Sequence, residues 1–334
     1  MIAAVITVGS KYESLGAMKL SRWLERTGWT VEQLSMVYPI RDSHYDLYCF
    51  SVVFSWKLPD LVRMVQNARC VSSAPIWIGG PAVTFHHRNF QYVKDETGIT
   101  PTTGIDARFD GEQGQFPMTY FSRGCPAYTP ACGLCPVPRI EGNAFTFYRD
   151  AIPAKLLLDN NLSALPEDYQ DYIIQRYKQD WKGGKVDANS GFEPHSFTES
   201  TLNRWQKFPL AFWRFGYDDL SERDQALEMM RLLKFYGYKG EKVRVYTMIG
   251  NEPIADCVKR IREVIEYGFH PWPQRLRPLD WLGGPLPCRF DWDEPTLIAY
   301  QRFYSIAGLW KQMKPEEFYY QQRYPLTIGR KAHP

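Results

Sequence analysis

The sequence lacks a long apolar run, and none of its hydrophobic stretches approaches the roughly 20 residues that a membrane-spanning helix needs. It also lacks a strong excess of one charge, because 40 Lys and Arg against 37 Asp and Glu give a formal net charge of +3. A charge this small does not favour nucleic acid or an anionic membrane as a partner. Residues 1–8 lack the basic segment of a signal peptide and predict a strand, so we expect a cytoplasmic protein without a membrane partner.

Cysteine is scarce, with seven residues in a chain of 334, which favours a reducing compartment over a disulfide scaffold. Three of them, Cys125, Cys132 and Cys135, fall within eleven residues, directly after a short apolar run at 118–121. This spacing predicts a metal site on a loop that leaves a strand. Three thiolates can each hold one iron of a [4Fe–4S] cluster, which normally takes four protein thiolates. Because no fourth cysteine lies nearby, one iron would remain open to a small molecule.

Other interpretations of the three cysteines remain open at this point. A structural zinc site also accepts three thiolates with a fourth ligand, and thiols that bind no metal would show the same spacing. The pattern Pro-x-Cys-x-x-Cys also occurs in nucleobase deaminases, which need an upstream His-x-Glu triplet. The sequence contains no such triplet, so the deaminase interpretation is excluded.

The segment Ser-Arg-Gly-Cys-Pro at 122–126, followed by Cys-x-x-Cys and Glu-Gly, resembles the cluster loop of radical S-adenosylmethionine (radical SAM) enzymes. It is similar to the version found in members with an N-terminal cobalamin-binding type of domain, although the spacing here is C-x6-C-x2-C instead of C-x3-C-x2-C. The resemblance implies a [4Fe–4S] cluster held by the three cysteines, with SAM bound to the open iron. It also implies reductive cleavage of SAM to a 5′-deoxyadenosyl radical, with flavodoxin or ferredoxin as reductant.

Residues 1–100 alternate strand and helix patterns, which predicts a doubly wound parallel sheet of the flavodoxin or B12-binding type. The predicted strands are Ile2–Val8, Val31–Leu34, Leu47–Phe54 and Pro75–Gly80. The Gly79-Gly80-Pro81 turn and the strand end at 51–55 resemble the cobalamin-binding domain. The D-x-H-x-x-G loop of that family, whose His ligates cobalt, is absent at 9–13. Cobalamin bound without a protein ligand and a degenerate domain that only packs on its neighbour are both open.

A polar, glycine-rich stretch at 101–116 predicts a linker. From residue 117 to about 285, repeated strand–helix units predict a partial (β/α)6 barrel of the TIM type, with its chemistry at the carboxyl ends of the strands. The resemblance implies the same architecture and extends to uncharacterised bacterial and phage members. Residues 286–334 predict a helix from Glu294 and an aromatic, basic tail that suits either base stacking or a lid over the barrel.

The resemblance implies roles for polar residues at the tips of the barrel strands. Leu134 occupies the position that lies against adenine, and Asn160 replaces part of the family's Gly-Gly-Glu motif for the SAM amino group. We expect the remaining contacts to the SAM ribose, carboxylate and adenine from Asn189, Ser190, Glu193, Arg214, Ile249 and Gly250. For each of these, a core or capping role is an equal alternative.

Substrate recognition is less determined by the sequence. Tyr217, Asp218 and Tyr246 are candidates for hydrogen-atom or proton delivery, and Arg275 and Arg277 for binding a phosphate or carboxylate. We therefore expect a radical SAM enzyme that abstracts hydrogen from an unidentified small molecule or nucleotide, with nucleic acid as a further possibility. One alternative is a cobalamin-dependent radical SAM methyltransferase. The alternative from another class is a non-enzymatic binding protein stabilised by zinc or a cluster.

Overall fold

A computed structural model describes residues 1–9, 14–36, 44–126, 133–315 and 317–318. Its first sheet contains β1 (Ile2–Val8), β2 (Thr30–Leu34), β3 (Leu47–Val52) and β4 (Ile76–Gly79). All pairs are parallel, and the spatial order is β2-β1-β3-β4. In this flavodoxin-like order β2 lies on one side of β1 and β3 on the other, so the direction in which successive strands are added reverses at β1. Ligands bind at such a point, outside the carboxyl ends of the strands.

Helices cover both faces of this sheet. They are α1 (Leu15–Arg26), α2 (Leu58–Val71), α3 (Pro81–Thr84), α4 (His87–Thr97) and α5 (Ala107–Asp110). Alternate residues of β1 point to opposite faces, so Ala3 and Val5 pack in the cluster of α1 while Ala4 and Ile6 pack in that of α2. Burial on both faces explains why β1 and β3 are almost entirely apolar, as the sequence predicted for β3, whereas the edge strand β2 is polar and unburied.

The second part of the chain forms a partial barrel. Its strands are β5 (Met118–Thr119), β6 (Ser122–Arg123), β7 (Thr146–Phe147), β8 (Leu156–Leu157), β9 (Asp187–Ala188), β10 (Trp213–Gly216), β11 (Gly240–Ile249) and β12 (Phe269–Arg275). Two parallel sheets, β5-β8-β9 and β10-β11-β12, are joined by parallel bridges between Val186 and Leu210 and between Phe192 and Phe215. Six parallel strands therefore follow one another in chain order, and the predicted fold class is confirmed.

The barrel helices are α6 (Val137–Glu141), α7 (Glu167–Asp180), α8 (Glu199–Trp205), α9 (Arg223–Phe235), α10 (Ile254–Glu266), α11 (Glu294–Ser305) and α12 (Ala307–Trp310). Much of the aromatic content is in the core beneath them, where the rings of Phe192, Phe197 and Trp213 lie within 5.7 Å of one another. The side chain of Gln301 in α11 donates to the carbonyl of Pro273 at 3.2 Å. This helix thus covers the outer edge of β12 and blocks further strand pairing there.

Three predictions made from the barrel sequence differ from the structure: a capping box that opens at Ser221, a helix capped by Asn251 and a strand over 185–191. The capping box is formed by Asp219 and Glu222 around a 3-10 helix at Leu220–Glu222, two residues before the predicted Ser221 box. Helix α10 begins after Pro253, because Asn251 donates to the carbonyl of Asp218 at 2.6 Å instead of capping the helix. The strand predicted at 185–191 is reduced to Asp187–Ala188.

The stretch at 101–116 does more than link two parts of the chain. It contains α5, and its main chain binds α1: the side chain of Arg22 donates to the carbonyl of Gln113 at 2.7 Å. Arg26 also forms an ion pair with Glu112. The aromatic and basic tail from residue 319 onward lies outside the described residues. Within the described residues, no helix is both long and apolar enough to cross a membrane.

Candidate cofactor-binding site

The cysteine loop begins at the carboxyl end of the first barrel strand. Gly124 adopts a φ of +84°, and a Cβ at this position would overlap the carbonyl of Ala144, so only glycine fits. The N–H of Cys125 donates to the carbonyl of Gly142 at 3.3 Å, and the amide of Asn161 lies 3.8 Å from the sulfur of Cys125. Cys135 is half-buried, like Cys125. A backbone clamp and an N–H directed at sulfur suit a thiolate that ligates a cluster.

Cys132, the middle member of the predicted triad, lies outside the described residues. Leu134, between the last two cysteines, is half-buried. The ligand set of Cys125, Cys132 and Cys135 therefore stays a prediction. The hydrogen bonds that anchor the described end of the loop are compatible with it.

Glu141 holds the start of the loop in place. Its carboxylate accepts from Arg123 Nη2 at 2.9 Å, from the N–H of Gly124 at 2.9 Å and from Asn160 Nδ2 at 2.7 Å. Charge-assisted bonds of this kind are stronger than neutral ones. The sequence pattern contained this glutamate after the cysteines, but its role as an anchor could be assigned only once the three donors were seen to converge.

Asp159 supports the same loop from the tip of β8. It is fully buried and accepts from the N–H of Phe121 at 3.0 Å and from the N–H of Ser122 at 2.6 Å. Burial raises the pKa of this carboxyl to about 6, although these donors act in the opposite direction. Sequence reasoning missed Asp159 because it treated the tip residues as contacts for SAM.

The residues predicted to contact SAM fall into two groups. Asn160 uses both amide hydrogens, on Gly124 O and Glu141, which leaves its carbonyl oxygen as the atom available to a ligand. Asn189 and Ser190 are exposed directly after β9, in the position expected of groups that meet a ligand at the strand tips. For these residues the predicted role stays a prediction that the geometry permits.

The second group already has structural partners. Glu193 accepts from the backbone N–H groups of His195 and Ser196 and thereby caps a 3-10 helix. Arg214 forms a bidentate ion pair with Asp187 on the neighbouring strand, at 2.7 and 2.5 Å, and also donates to Tyr246 Oη. Its predicted role as partner of the SAM carboxylate would therefore require Arg214 to leave a carboxylate it already binds.

The predicted adenine contact at the end of β11 is also occupied by protein. Ile249 is fully buried in a cluster with Leu297 of α11. Gly250 has a φ of +92°, and a Cβ there would lie 3.2 Å from the Leu297 side chain. The glycine allows this close packing of α11, which sequence reasoning had interpreted as room for the adenine.

The three candidates for proton or hydrogen delivery have different partners, and Tyr246 accepts through its hydroxyl from Arg214. Tyr217 is fully buried and donates to Glu263 of α10 at 2.8 Å, so its hydroxyl faces the helix layer. A role beside the reacting groups, which stays a prediction, would require the Tyr217 hydroxyl to leave Glu263. Asp218 lies at the tip of β10, where its carboxylate accepts from the N–H of Met248 at 2.9 Å. Burial, followed by repulsion from Glu222, raises the pKa of Asp218 to about 6, which suits proton transfer near neutral pH.

A polar network joins the first sheet to the cysteine loop. Lys19 of α1 is buried, and its ammonium donates to the carbonyl of Asp110 and, at 2.5 Å, to Tyr120 Oη. The Asp110 carboxylate accepts from Tyr120 at 2.7 Å, from Tyr148 at 2.6 Å and from Arg123 at 2.9 Å. Because Arg123 also binds Glu141, a continuous chain of hydrogen bonds runs from α1 to the loop.

The network forms one wall of a cavity of about 320 Å³. The opposite wall comes from the carboxyl ends of β3 and β4, including the turn at Gly79-Gly80. Gly80 has a φ of +108°, and a Cβ there would overlap the main chain of Val52. The cavity thus lies at the crevice expected for a ligand in a doubly wound sheet, between the first domain and the cysteine loop.

Comparisons with known proteins give the architecture a precedent. No known family profile matches the sequence, and no curated protein matches it. One similar solved structure is the radical S-adenosylmethionine methyltransferase TsrM from Kitasatospora setae with cobalamin and a [4Fe–4S] cluster bound. Its TM-score is 0.58 at 13% identity, covering 84% of this chain and 77% of that one.

A second structure of TsrM, with tryptophan substrate and the SAM analogue aza-SAM bound, has a TM-score of 0.54 at 13% identity. That match covers 78% of this chain and 71% of the TsrM chain. At this identity the likeness establishes a shared fold. A first domain of the doubly wound type followed by a partial barrel is therefore the architecture of a known radical SAM enzyme.

Proposed function

We propose that this protein is a radical SAM enzyme. The observation that carries the proposal is the position of its cysteine loop, which leaves the first strand of a six-stranded parallel barrel at the carboxyl end. Cys125, Cys132 and Cys135 would hold a [4Fe–4S] cluster, and the thiol donor set and the anchored loop fit that group. When bound, the cluster supplies the electron that cleaves SAM reductively and starts radical chemistry on a substrate.

The surrounding residues would position these groups. Glu141 and Asp159 fix the backbone of the loop, and the carbonyl oxygen of Asn160, which has no partner among the described residues, offers an acceptor to the SAM amino group. Asn189 and Ser190 supply polar groups at the next strand tip. Asp218, whose raised pKa of about 6 lets it exchange a proton near neutral pH, is our candidate for proton transfer.

The test is anaerobic reconstitution with iron and sulfide, followed by counting iron and assaying 5′-deoxyadenosine after addition of SAM and dithionite. We expect about four irons per chain, and loss of both cluster and nucleoside in Cys132→Ser. Cys70→Ser is the matched control, because Cys70 is exposed on α2, outside the loop. Stoichiometric zinc in place of iron, or a cluster that never consumes SAM, would refute the enzyme and favour a zinc- or cluster-stabilised binding protein.

A cobalamin-dependent methyltransferase is the second candidate, and the cavity beside the loop favours it. The cavity offers apolar walls from Phe50, Trp77 and Ile78 and a polar wall that contains Lys19 and Asp110. A mostly apolar pocket with few polar groups is typical of a cofactor site. TsrM, which shares the fold, has been solved with cobalamin bound.

Titration with hydroxocobalamin, followed by its visible spectrum, tests this candidate without any assay of turnover. Ser51→Trp should abolish binding by filling the cavity that Ser51 lines, while Ser73→Trp, at an exposed position beyond α2 and outside the cavity, should leave binding unchanged. Transfer of labelled methyl from SAM to an acceptor would then separate methyl transfer from hydrogen abstraction. Equal corrinoid binding by both variants would show that the cavity is not its site.

The partners follow from the same proposal. The enzyme would need a low-potential reductant such as flavodoxin or ferredoxin, and a small organic molecule or nucleotide as substrate. Tryptophan is the substrate in a TsrM structure, which supports a small-molecule substrate here. The prediction of a nucleic-acid substrate depends on the tail from residue 319. Binding of single-stranded oligonucleotides by the full chain tests it directly.

A further inference from the structure

Two arginines at the end of the barrel form no ion pair within the part of the chain that the structure describes. Arg275 is the last residue of β12, and Arg277 follows two residues later. Both are half-buried, and neither guanidinium has a hydrogen-bond or ion-pair partner among the described residues. The Nε atom of Arg275 is shielded from solvent as well. A buried cation without an acceptor is costly unless something pairs with it.

The surroundings of Arg277 orient its guanidinium without using its donors. Its Cζ lies 4.4 Å from the centre of the Trp56 ring, which belongs to the turn after β3. Stacking on an aromatic face leaves the N–H groups at the edge of the guanidinium available. The ring of Phe54 stacks on that of Trp56, with 4.6 Å between the ring centres. Trp56 therefore presents Arg277 in a fixed orientation.

Besides the two guanidinium groups, the buried atoms without a partner near this segment are one donor, on Trp281, and one acceptor, Asn89 Oδ1. The ring of Trp281 lies 5.8 Å from that of Trp56, and its Nε1–H is buried with no acceptor. Burial and the neighbouring Arg275 charge lower the pKa of Arg277, while Glu294 opposes this effect. Glu294 is a single carboxylate against two cations, and it also accepts from the N–H of Leu286 at 3.3 Å. A ligand with acceptor groups would pair with the two guanidinium groups and with the indole N–H of Trp281.

We propose that Arg275 and Arg277 bind the phosphate or carboxylate group of a small anionic ligand, where the segment after β12 packs against the first domain. That segment is anchored directly after the site. Asn89 donates to the carbonyl of Leu279 at 2.8 Å, and Arg88 pairs with Asp280 at 3.1 Å. The position at the carboxyl end of a barrel strand is where ligands bind in this class of fold, and the site shares no residue with the cavity beside the cysteine loop.

Calorimetry on the purified full chain tests the site, with inorganic phosphate and benzoate as separate probes at constant ionic strength. We expect saturable binding of at least one probe, and its identity shows whether the ligand carries a phosphate or a carboxylate. Arg277→Gln and Arg275→Gln should each weaken it about tenfold or more, since each removes charge-assisted hydrogen bonds. Arg277→Lys keeps the charge and loses the planar donor edge, so its affinity for the probe should lie between those of the unsubstituted protein and Arg277→Gln.

Arg231→Gln is the matched control, because Arg231 lies exposed on α9 and pairs with Glu228 of the same helix. It should bind like the unsubstituted protein. Far-UV circular dichroism verifies that each variant is folded, and if Arg275→Gln fails this test, the comparison of Arg277→Gln with Arg277→Lys decides. No saturable binding of either probe, or unchanged binding by Arg277→Gln, would overturn the proposal. Because the assay needs neither cluster nor SAM, its result is independent of the proposed enzyme activity.

Discussion

The buried lysine between the first domain and the barrel gives a prediction with a defined sign. Burial lowers the pKa of Lys19 to about 8 from 10.5, although Asp110 opposes the shift. In the pH range between these two values the unfolded chain binds more protons than the folded protein, so stability must rise with pH. At 1.36 kcal/mol per pKa unit, the full difference is about 3 kcal/mol, of which about 2 kcal/mol is recovered between pH 7.5 and 9.5.

The perturbation is Lys19→Met, which keeps the length of the side chain and removes the titrating group. Urea unfolding at pH 7.5 and 9.5 measures the free energy of unfolding of both proteins. Subtracting the value of the variant from that of the unsubstituted protein at each pH removes the contribution of tyrosines and other groups that titrate in this range. We expect the unsubstituted protein to gain about 2 kcal/mol over the variant as pH rises. Lys259→Met, at an exposed position of α10, should behave like the unsubstituted protein. The same pH dependence for Lys19→Met would refute the reasoning.

Three further perturbations test the site. Glu141→Gln removes the charge that Arg123 and two other donors share, so urea unfolding should show a loss of about 2 kcal/mol; an unchanged free energy would mean that the loop is held elsewhere. In the unsubstituted protein, a carboxyl with a pKa of about 6 should lower the free energy of unfolding by about 2 kcal/mol as the pH rises from 4.5 to 7. Asp218→Asn should lose this pH dependence, which urea unfolding at the two pH values measures. Gly80→Ala should cost about 1–3 kcal/mol in thermal or urea unfolding, because its φ of +108° and the nearby Val52 main chain exclude a side chain; full stability would show that the turn can relax.

The fold was largely predictable because its strands are buried on both faces. In β1 and β3 nearly every residue is apolar, and this pattern together with the alternating helices allows few architectures. The shorter barrel strands were harder to place. Strand β9 consists of Asp187 and Ala188 alone, so hydrophobic periodicity had almost nothing to detect there.

Capping was predicted less well for a related reason. A Ser-x-x-Asp pattern at 221–224 and an Asp-x-x-Glu pattern at 219–222 differ by two residues, and both suit a helix start. The choice between them depends on where the preceding strand releases the chain. The N–H of Tyr217 donates to the carbonyl of Tyr246 at 2.8 Å, so the strand pairing continues to Tyr217. The turn begins directly after it, and Asp219 becomes the cap.

The site shows where single-residue reasoning stops. A sequence can indicate that Arg214 lies on a barrel strand and needs an anionic partner, but it cannot say which anion. Asp187 lies on the adjacent strand and takes both guanidinium edges, so the protein itself satisfies the arginine that had been assigned to a ligand. Arg275 and Arg277 show the opposite outcome, since no carboxylate among the described residues pairs with them. A charge becomes a credible ligand contact when the folded chain leaves it unpaired, and only the tertiary structure reveals which arginines those are.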